Sequence, residues 1–267
     1  MANLLIMNLM ERQAGIVERL NLHGEVDVTE LAIALDTSEV TIRRDLEHLA
    51  QAGVLRRVRG GAVTMMMRGE GLPFAMRSLE SSAVKDRMAQ AVSELLSDGE
   101  AVAVDSGTTG AAVAQAIAGR RLTVMPFSVQ ALTSLATSST VTLLLPGGSV
   151  NRDEGSITGP LAETSLGSLR FDTAVLSCCG VSEPDGVTAY DLNDAATKRA
   201  MIGAARRTIL VAEGEKFTHS AMSVVCGLNQ LDILVTDTTA PVETLERLRA
   251  AGIEVIVVPT VAQEGSA

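Results

Sequence analysis

From residue 81 onward, short apolar runs alternate with helical stretches, and no other property of the chain restricts its fold as strongly. The runs at 101–104, 122–125, 141–145, 173–177, 208–211, 233–235 and 253–258 are brief and almost continuously apolar. Between or before them, Val84, Met88, Ala91, Val92 and Leu95 have helical spacing, and further helical stretches fall at 109–117, 130–136, 194–205 and 242–251. Strands that lack an alternating polar face must be covered on both sides, so this part is expected to form a mostly parallel sheet between helices. Ligands of such sheets bind beyond the carboxyl ends of the strands.

The chain has 267 residues, which suggests about two domains, and a net charge of −10, which taken whole argues against a partner as acidic as DNA. Segment by segment the charge is uneven. Residues 1–68 hold eight Arg, no Lys and nine acids, whereas residues 69–267 hold 14 bases against 23 acids. Arg56, Arg57, Arg59 and Arg68 follow one another with no acid between them, shortly after Arg43 and Arg44. A local basic surface is therefore expected on an otherwise acidic protein.

Aromatic residues make up 2% of the chain, with no Trp, which removes any mechanism in which bases or sugar rings stack on aromatic platforms. No window reaches about 18 consecutive uncharged apolar residues, so no membrane partner is expected. The Leu- and Met-rich start lacks a basic leader and runs into an amphipathic pattern, so the chain is read as cytoplasmic, without a signal peptide. Cys178, Cys179 and Cys226 have neither a disulfide framework nor a zinc spacing, and are read as quiet core thiols. No metal and no cofactor are expected.

The first 63 residues carry a three-helix pattern. Ile16, Val17 and Leu20 have helical spacing in the first helix, with His23-Gly24 as its stop. Val26 and Val28 read as a short strand, and Thr29 as the N-cap of a second helix through Leu31, Ala32 and Leu35. Ser38 caps a third helix that runs to about Ala52 and is ended by Gly53. On it Ile42, Leu46 and Leu49 share one face, while Val40, Arg44, Glu47 and Gln51 point the other way with Thr41 and Arg43 on the flanks.

That outer face suits a DNA major groove. Arginine can donate two bonds to guanine, threonine can bond a base edge or a phosphate, and valine can meet a thymine methyl. Asp45 beside the arginine pair is expected to orient an arginine. After Gly53, residues 54–63 read as two short strands around a Gly-rich turn, a wing whose Arg56, Arg57 and Arg59 would lie along phosphates or in the minor groove. Residues 64–80, with three Met, Gly69, Gly71 and Pro73, read as a linker, the Met residues alternatively packing in an interface.

Together, Arg12, Ile16 and Leu20, then Ser38-x-x-Thr41-Ile42-Arg43-Arg44-Asp45-Leu46, then Arg57-x-x-Gly60-Gly61-Ala62 resemble the DNA-binding head of the DeoR family of bacterial transcriptional regulators.

Two loops of the second part have binding chemistry. Asp105-Ser106-Gly107-Thr108-Thr109-Gly110 precedes a helix and offers small residues, amide N–H groups and hydroxyls, which suit a phosphate and equally suit a simple helix cap. It lacks the Walker and dinucleotide glycine spacings. Pro146-Gly147-Gly148 follows a strand and reads either as a second binding loop or as a tight turn. The only lysines are Lys85, Lys198 and Lys216, each a possible point charge for phosphate.

Lys85, the Asp105 loop, Pro146-Gly147-Gly148, Gly159, Lys198 with Ala200-Met201, and Lys216-Phe217 are similar to the DeoR effector domain, itself similar to ribose-5-phosphate isomerase. The resemblance implies that Lys85, Asp105, Ser106, Gly107, Thr108 and Thr109 hold the phosphate of a sugar phosphate or polyol phosphate, with Gly147, Gly148, Lys198 and Lys216 around the polyol. It also implies a homo-oligomer, tetramer or dimer. Two stretches depart from the family pattern, Pro126-Phe127-Ser128 and Glu213-Gly214-Glu215-Lys216, and bear on which ligand fits.

An isomerase working through an enediol would need a carboxylate base beside a lysine. Asp172, Asp185 and Asp191 are candidates, but the loops around them lack the required chemistry, so no catalytic residue is assigned. The expected organisation is a winged helix-turn-helix at 8–63, a linker at 64–80 and an α/β sensor at 81–259. The expected function is sequence-specific, operator-binding regulation of a carbohydrate operon, most simply repression, with a sugar-phosphate isomerase bearing a DNA-binding head as the alternative.

Overall fold

A computed structural model describes residues 9–23, 25–51, 54–64, 74–77 and 82–260. The chain divides between Glu80 and Ser81. Gly24, Ala52, Gly53, Met65, Met66, Met67 and Arg68 lie outside the described residues, and with them the glycine stops and the methionine cluster.

In order, the first unit contains α1 (Leu9–His23), β1 (Glu25–Asp27), α2 (Val28–Ala34), α3 (Glu39–Gln51), β2 (Leu55–Val58), β3 (Gly61–Thr64) and a helical turn α4 (Phe74–Arg77). Its core is formed where the helical pattern placed it: Ile16, Val17 and Leu20 of α1, Leu31 of α2, and Ile42, Leu46 and Leu49 of α3 meet Leu55 and Ala62 of the hairpin. The three strands lie in the order β1-β3-β2, antiparallel, with Arg57 opposite Ala62 and Asp27 opposite Gly61. Gly60 turns the hairpin at φ +88°, and a Cβ on Gly61 would run into the Val26 carbonyl.

Two local expectations need correction. The second helix is capped by Asp27, whose carboxylate accepts from the Thr29 and Glu30 amides at 2.7 and 3.2 Å. Val28 is accordingly the first helical residue and not part of the strand, because an Asp cap stabilises the free amides better than Thr29 could from inside the turn. Within the stretch read as a linker lies the short turn α4, too brief to show a period. Ser38 does cap α3, accepting from the Thr41 amide at 3.1 Å.

The second unit begins with α5 (Ser82–Leu95), β4 (Ala101–Val104), α6 (Gly107–Ile117), β5 (Thr123–Pro126), α7 (Val129–Ala136), β6 (Thr142–Leu143), β7 (Ser149–Val150), β8 (Ile157–Thr158), α8 (Pro160–Gly167) and β9 (Phe171–Leu176). It continues with β10 (Gly180–Ser182), β11 (Gly186–Ala189), α9 (Leu192–Ala204), β12 (Ala205–Val211), β13 (Ser223–Cys226), β14 (Ile233–Asp237), α10 (Val242–Ala250) and β15 (Glu254–Val258), with 3-10 turns at Gly214–Thr218 and Leu228–Gln230.

Seven strands form one parallel sheet in the order β15-β14-β12-β9-β4-β5-β6. Alternate residues feed two cores. Val102, Val104, Val175, Ile209, Val211 and Val235 pack under α5, α6 and α7. Ala103, Ala174, Leu176, Leu210 and Leu234 face α8, α9 and α10 on the other side. Covering both faces explains why these strands read as unbroken apolar runs.

Sequence reading missed α8, the β7-β8 ribbon and the antiparallel sheet β10-β11-β13. Its strands have only three or four residues, short of a readable period, and Val181 and Val187 complete the core under α9.

Strand order reverses at β4: β5 and β6 extend to one side, while β9, β12, β14 and β15 extend to the other. The crevice of such a sheet opens at that reversal, beyond the carboxyl ends of β4 and β9.

Candidate functional site

In the first unit, packing Ile42, Leu46 and Leu49 inward turns the opposite side of α3 outward. Val40, Arg43 and Arg44 are exposed and Thr41 is half-buried. Ser38 is held at the helix start by its bond to the Thr41 amide. Arg43 donates to Glu39 at 2.6 Å, one helical turn back, while Arg44 reaches outward. Asp45 is almost fully buried and takes both Nε and Nη2 of Arg12, the latter at 3.2 Å. The arginine it orients therefore lies on α1, 33 residues away, and not in the neighbouring pair. That bidentate contact locks the rotation of α3 against α1, and hydrogen bonding to Asp45 raises the Arg12 pKa. On the hairpin Arg56 and Arg59 are exposed, whereas Arg57 is half-buried with Nη1 enclosed.

In the second unit the Asp105 loop connects β4 to α6, beside the end of β9. Asp105 is 1% exposed and sits at the centre of a hydrogen-bonded cluster. Its Oδ2 accepts from the amide and hydroxyl of Ser177, each at 2.8 Å, and from the Lys198 ammonium. Lys198, reaching in from α9, also contacts Asp194 at 3.1 Å, and Asp194 accepts from the Ser106 hydroxyl at 3.2 Å. Burial alone would lower the Lys198 pKa, but the two carboxylates hold it above the ordinary lysine range. Burial raises the Asp194 pKa, and Lys198 opposes the rise.

Asp105 and Lys198 thus face each other and brace the loop across β4, β9 and α9. The loop's remaining small and hydroxyl residues lie at the start of α6. Ser106, the N-cap residue of α6, makes no side-chain cap bond, which leaves the first amides of this 11-residue helix without one. Gly107 adopts φ +79°, and a Cβ on Gly110 would collide with the Asp105 carbonyl and lie 2.8 Å from its carbon. Both glycines let the helix start directly against the strand end. Thr108 is buried and Thr109 half-buried at the same start.

Lys85, on α5, is buried against Glu213 at 3.4 Å, just beyond the end of β12. Burial raises the Glu213 pKa, and Lys85 and Lys216 oppose that rise. Lys216 is half-buried and pairs with Glu215 at 2.7 Å. Of the three thiols expected in the core, Cys226 is buried while Cys178 and Cys179, after β9, are half-buried against that core; desolvation, with Cys179 beside it, pushes the Cys178 thiol up to about 12. Gly147 and Gly148 approach the β8-α8 corner: Cβ atoms there would lie 3.1 Å from the Leu161 side chain and 2.5 Å from the Thr158 carbonyl. Ends of β4, β9 and β12 thus gather Asp105, Ser106, Thr108, Lys198, Glu213 and Lys85, with Gly147 and Gly148 placed after β6.

Asp194, Ser177 and Glu213 were missed as partners. The Asp194-Lys198 spacing of four residues on one helix is a signal that could have revealed the first. In the first of the two departures from the family pattern, Phe127 is packed in the core and Ser128 caps α7, accepting from the Ala131 amide at 3.2 Å; the second holds Glu213 and Lys216 in the ion pairs just described. Of the acids considered for an isomerase, Asp172 lies at the amino end of the sheet, accepting from the Ala101 amide at 2.9 Å. Asp191 caps α9, accepting from two amides at 2.8 Å.

A winged helix-turn-helix followed by a parallel α/β unit with a candidate site at its strand ends has the make-up of a transcription regulator. Comparison with known proteins makes the class specific. A DeoR-like helix-turn-helix domain matches residues 12–67, and the DeoR C terminal sensor domain matches residues 80–238. The chain belongs to the DeoR family of DNA-binding transcription regulators. It is 32% identical over 251 residues to a putative aga operon transcriptional repressor of Escherichia coli O157:H7, covering 93% of each chain. It is also 28% identical over 243 residues to the glycerol-3-phosphate regulon repressor of Escherichia coli K12, covering 91% of this chain and 96% of that one. Among solved structures, ribose 5-phosphate isomerase A from Methanocaldococcus jannaschii aligns over 52% of this chain and 55% of that chain, with TM-score 0.39 and 13% identity. The full-length relatives are regulators, not enzymes.

Proposed function

We propose that this regulator represses a carbohydrate-metabolism operon and is controlled by a phosphorylated sugar or polyol. Ser38, Val40, Thr41, Arg43 and Arg44 would enter the major groove of operator DNA, and Arg56, Arg57 and Arg59 of the hairpin would follow the adjacent phosphates or minor groove. The effector phosphate would sit on the α6 amides with Ser106, Gly107, Thr108 and Thr109, the loop being held by Asp105 and Lys198. Lys85 and Lys216 would offer ammonium N–H donors beside their paired carboxylates, and Gly147 and Gly148 would border the polyol. The protein would act as a homo-oligomer, dimer or tetramer, matching paired half-sites.

The observation that carries the effector reading is the uncapped start of α6 beside the strand-order reversal, a position with outward amides and a favourable dipole for an anion. The name of the glycerol-3-phosphate regulon repressor supports a phosphorylated ligand. Effector and operator then change each other's affinity by one coupling free energy.

A gel shift with the duplex upstream of the protein's own coding region, repeated with a panel of sugar and polyol phosphates, tests both halves. Retardation that one phosphate ester relieves is expected. No retardation would remove the operator assignment, and retardation indifferent to the whole panel would remove the effector assignment. In the same assay Arg44→Ala should cost about 1–3 kcal/mol of specific binding.

A further inference from the structure

The outward side of α3 carries two acids beside its arginines, Glu39 and Glu47, one helical turn to either side of Arg43, and Glu39 is doubly engaged. Glu39 is the first residue of α3. Its Oε2 accepts from Arg43 Nη2 at 2.6 Å, and its Oε1 accepts from the Thr29 hydroxyl of α2 at 3.1 Å. An exposed i,i+4 pair alone contributes little to stability. Here the second bond ties the carboxylate to a different helix, so the Arg43 guanidinium is presented from a fixed point instead of swinging on a free side chain. Glu39 lies in the first turn of α3, where a negative charge complements the helix dipole. The same charge cancels that of Arg43 toward any phosphate, while a guanine edge, which offers neutral acceptors, can still be met by the remaining guanidinium N–H groups.

We propose that Glu39 is a positioning and specificity residue of the recognition helix: anchored by Thr29, it aims Arg43 at base edges and suppresses its attachment to phosphates of arbitrary sequence. This rests on α3 being the groove-reading helix.

The test uses the full chain and two duplexes, one selected by it from a random library and one shuffled to the same composition, titrated over a salt series. Glu39→Gln keeps an acceptor for Thr29 and removes the charge. It should tighten binding to the shuffled duplex about fivefold at 0.15 M salt and steepen that salt slope by about 0.9, the contribution of one additional cationic contact. The selected duplex should gain less, so the ratio of the two affinities falls. Glu39→Asp keeps the charge but is too short to span Thr29 and Arg43. It should lower the ratio with no change of slope. An unchanged ratio in Glu39→Asp, or equal tightening of both duplexes in Glu39→Gln, overturns the proposal. Arg44→Ala, run in parallel, separates this from failure of the groove-reading assignment itself: if that variant binds the selected duplex normally, α3 is not the reader.

Discussion

Replacing Lys198 by Met would remove the cation that braces the Asp105 loop. At 3.1 Å from Asp194 and an effective dielectric of about 20, the ammonium contributes roughly 5 kcal/mol of attraction to that carboxylate, offset in large part by the desolvation of both groups. Its side chain is 2% exposed, so water does not replace it when it is lost. The methionine fills the space, but Asp105 and Asp194 are then buried without a counter-charge, a situation that costs about 3–5 kcal/mol. For a unit of this size that corresponds to a fall in Tm of roughly 6–20 °C.

The deficit should depend on pH in a stated direction. Burial already raises the Asp194 pKa, Asp105 adds to the rise, and without Lys198 only the Ser106 hydroxyl opposes it. The folded variant then binds a proton that the unfolded chain does not, so its stability relative to the parent improves as pH falls through the raised value and the full deficit appears above it. Thermal unfolding by circular dichroism at pH 7 and pH 5 reads both effects, and Asp105→Asn in the same background should recover part of the loss. A deficit below about 1 kcal/mol, or one identical at the two pH values, would falsify the account of Lys198 as a charge brace.

Gly110→Ala should disrupt the α6 start, because its Cβ would overlap the Asp105 carbonyl; retention of both the parent Tm and the effector response would show that the strand-helix junction is looser than drawn. Ser38→Ala should cost about 0.5–2 kcal/mol of stability in the first unit by removing the Thr41 amide's acceptor, measurable by chemical denaturation. Leu46→Ala, with its side chain fully buried among three helices, should cost about 2–5 kcal/mol there, and an unfolding midpoint within error of the parent would contradict the assigned core. Cys178, pushed up to about 12 by burial, should react far more slowly with iodoacetamide at pH 8 than an unfolded-chain cysteine, whereas equal rates would mean an open thiol.

What the sequence discloses here is local. The face of Ile42, Leu46 and Leu49 follows from helical spacing alone, and the strand at Val102, Ala103 and Val104 from its unbroken apolar character. Ser38 was readable as a cap because a cap is a contact over three residues. Long-range partners were not readable. Arg12 and Asp45 are 33 residues apart, Asp105 and Lys198 93 apart, and nothing within either neighbourhood announces the other. The lysines illustrate the consequence: as isolated letters Lys85 and Lys198 look like solvated charges, yet the fold buries each against a carboxylate. The small sheet β10-β11-β13 escaped because Gly180 and Gly186 sit at strand starts, where they read as turns. A Cβ on either would meet the backbone of His219 or Cys226.

The close seating of Gly147 beneath Leu161 also has a practical side. Leu161 is 67% exposed at the first turn of α8, so a larger ring could stand there without displacing the core. Since the natural chain contains no tryptophan, Leu161→Trp would give it a single indole fluorophore, placed over the loop that borders the candidate polyol site. Emission excited at the red edge of indole absorption would then come from that one spot, so occupancy of the crevice could be followed optically in the intact regulator, in the presence of its DNA, without a label.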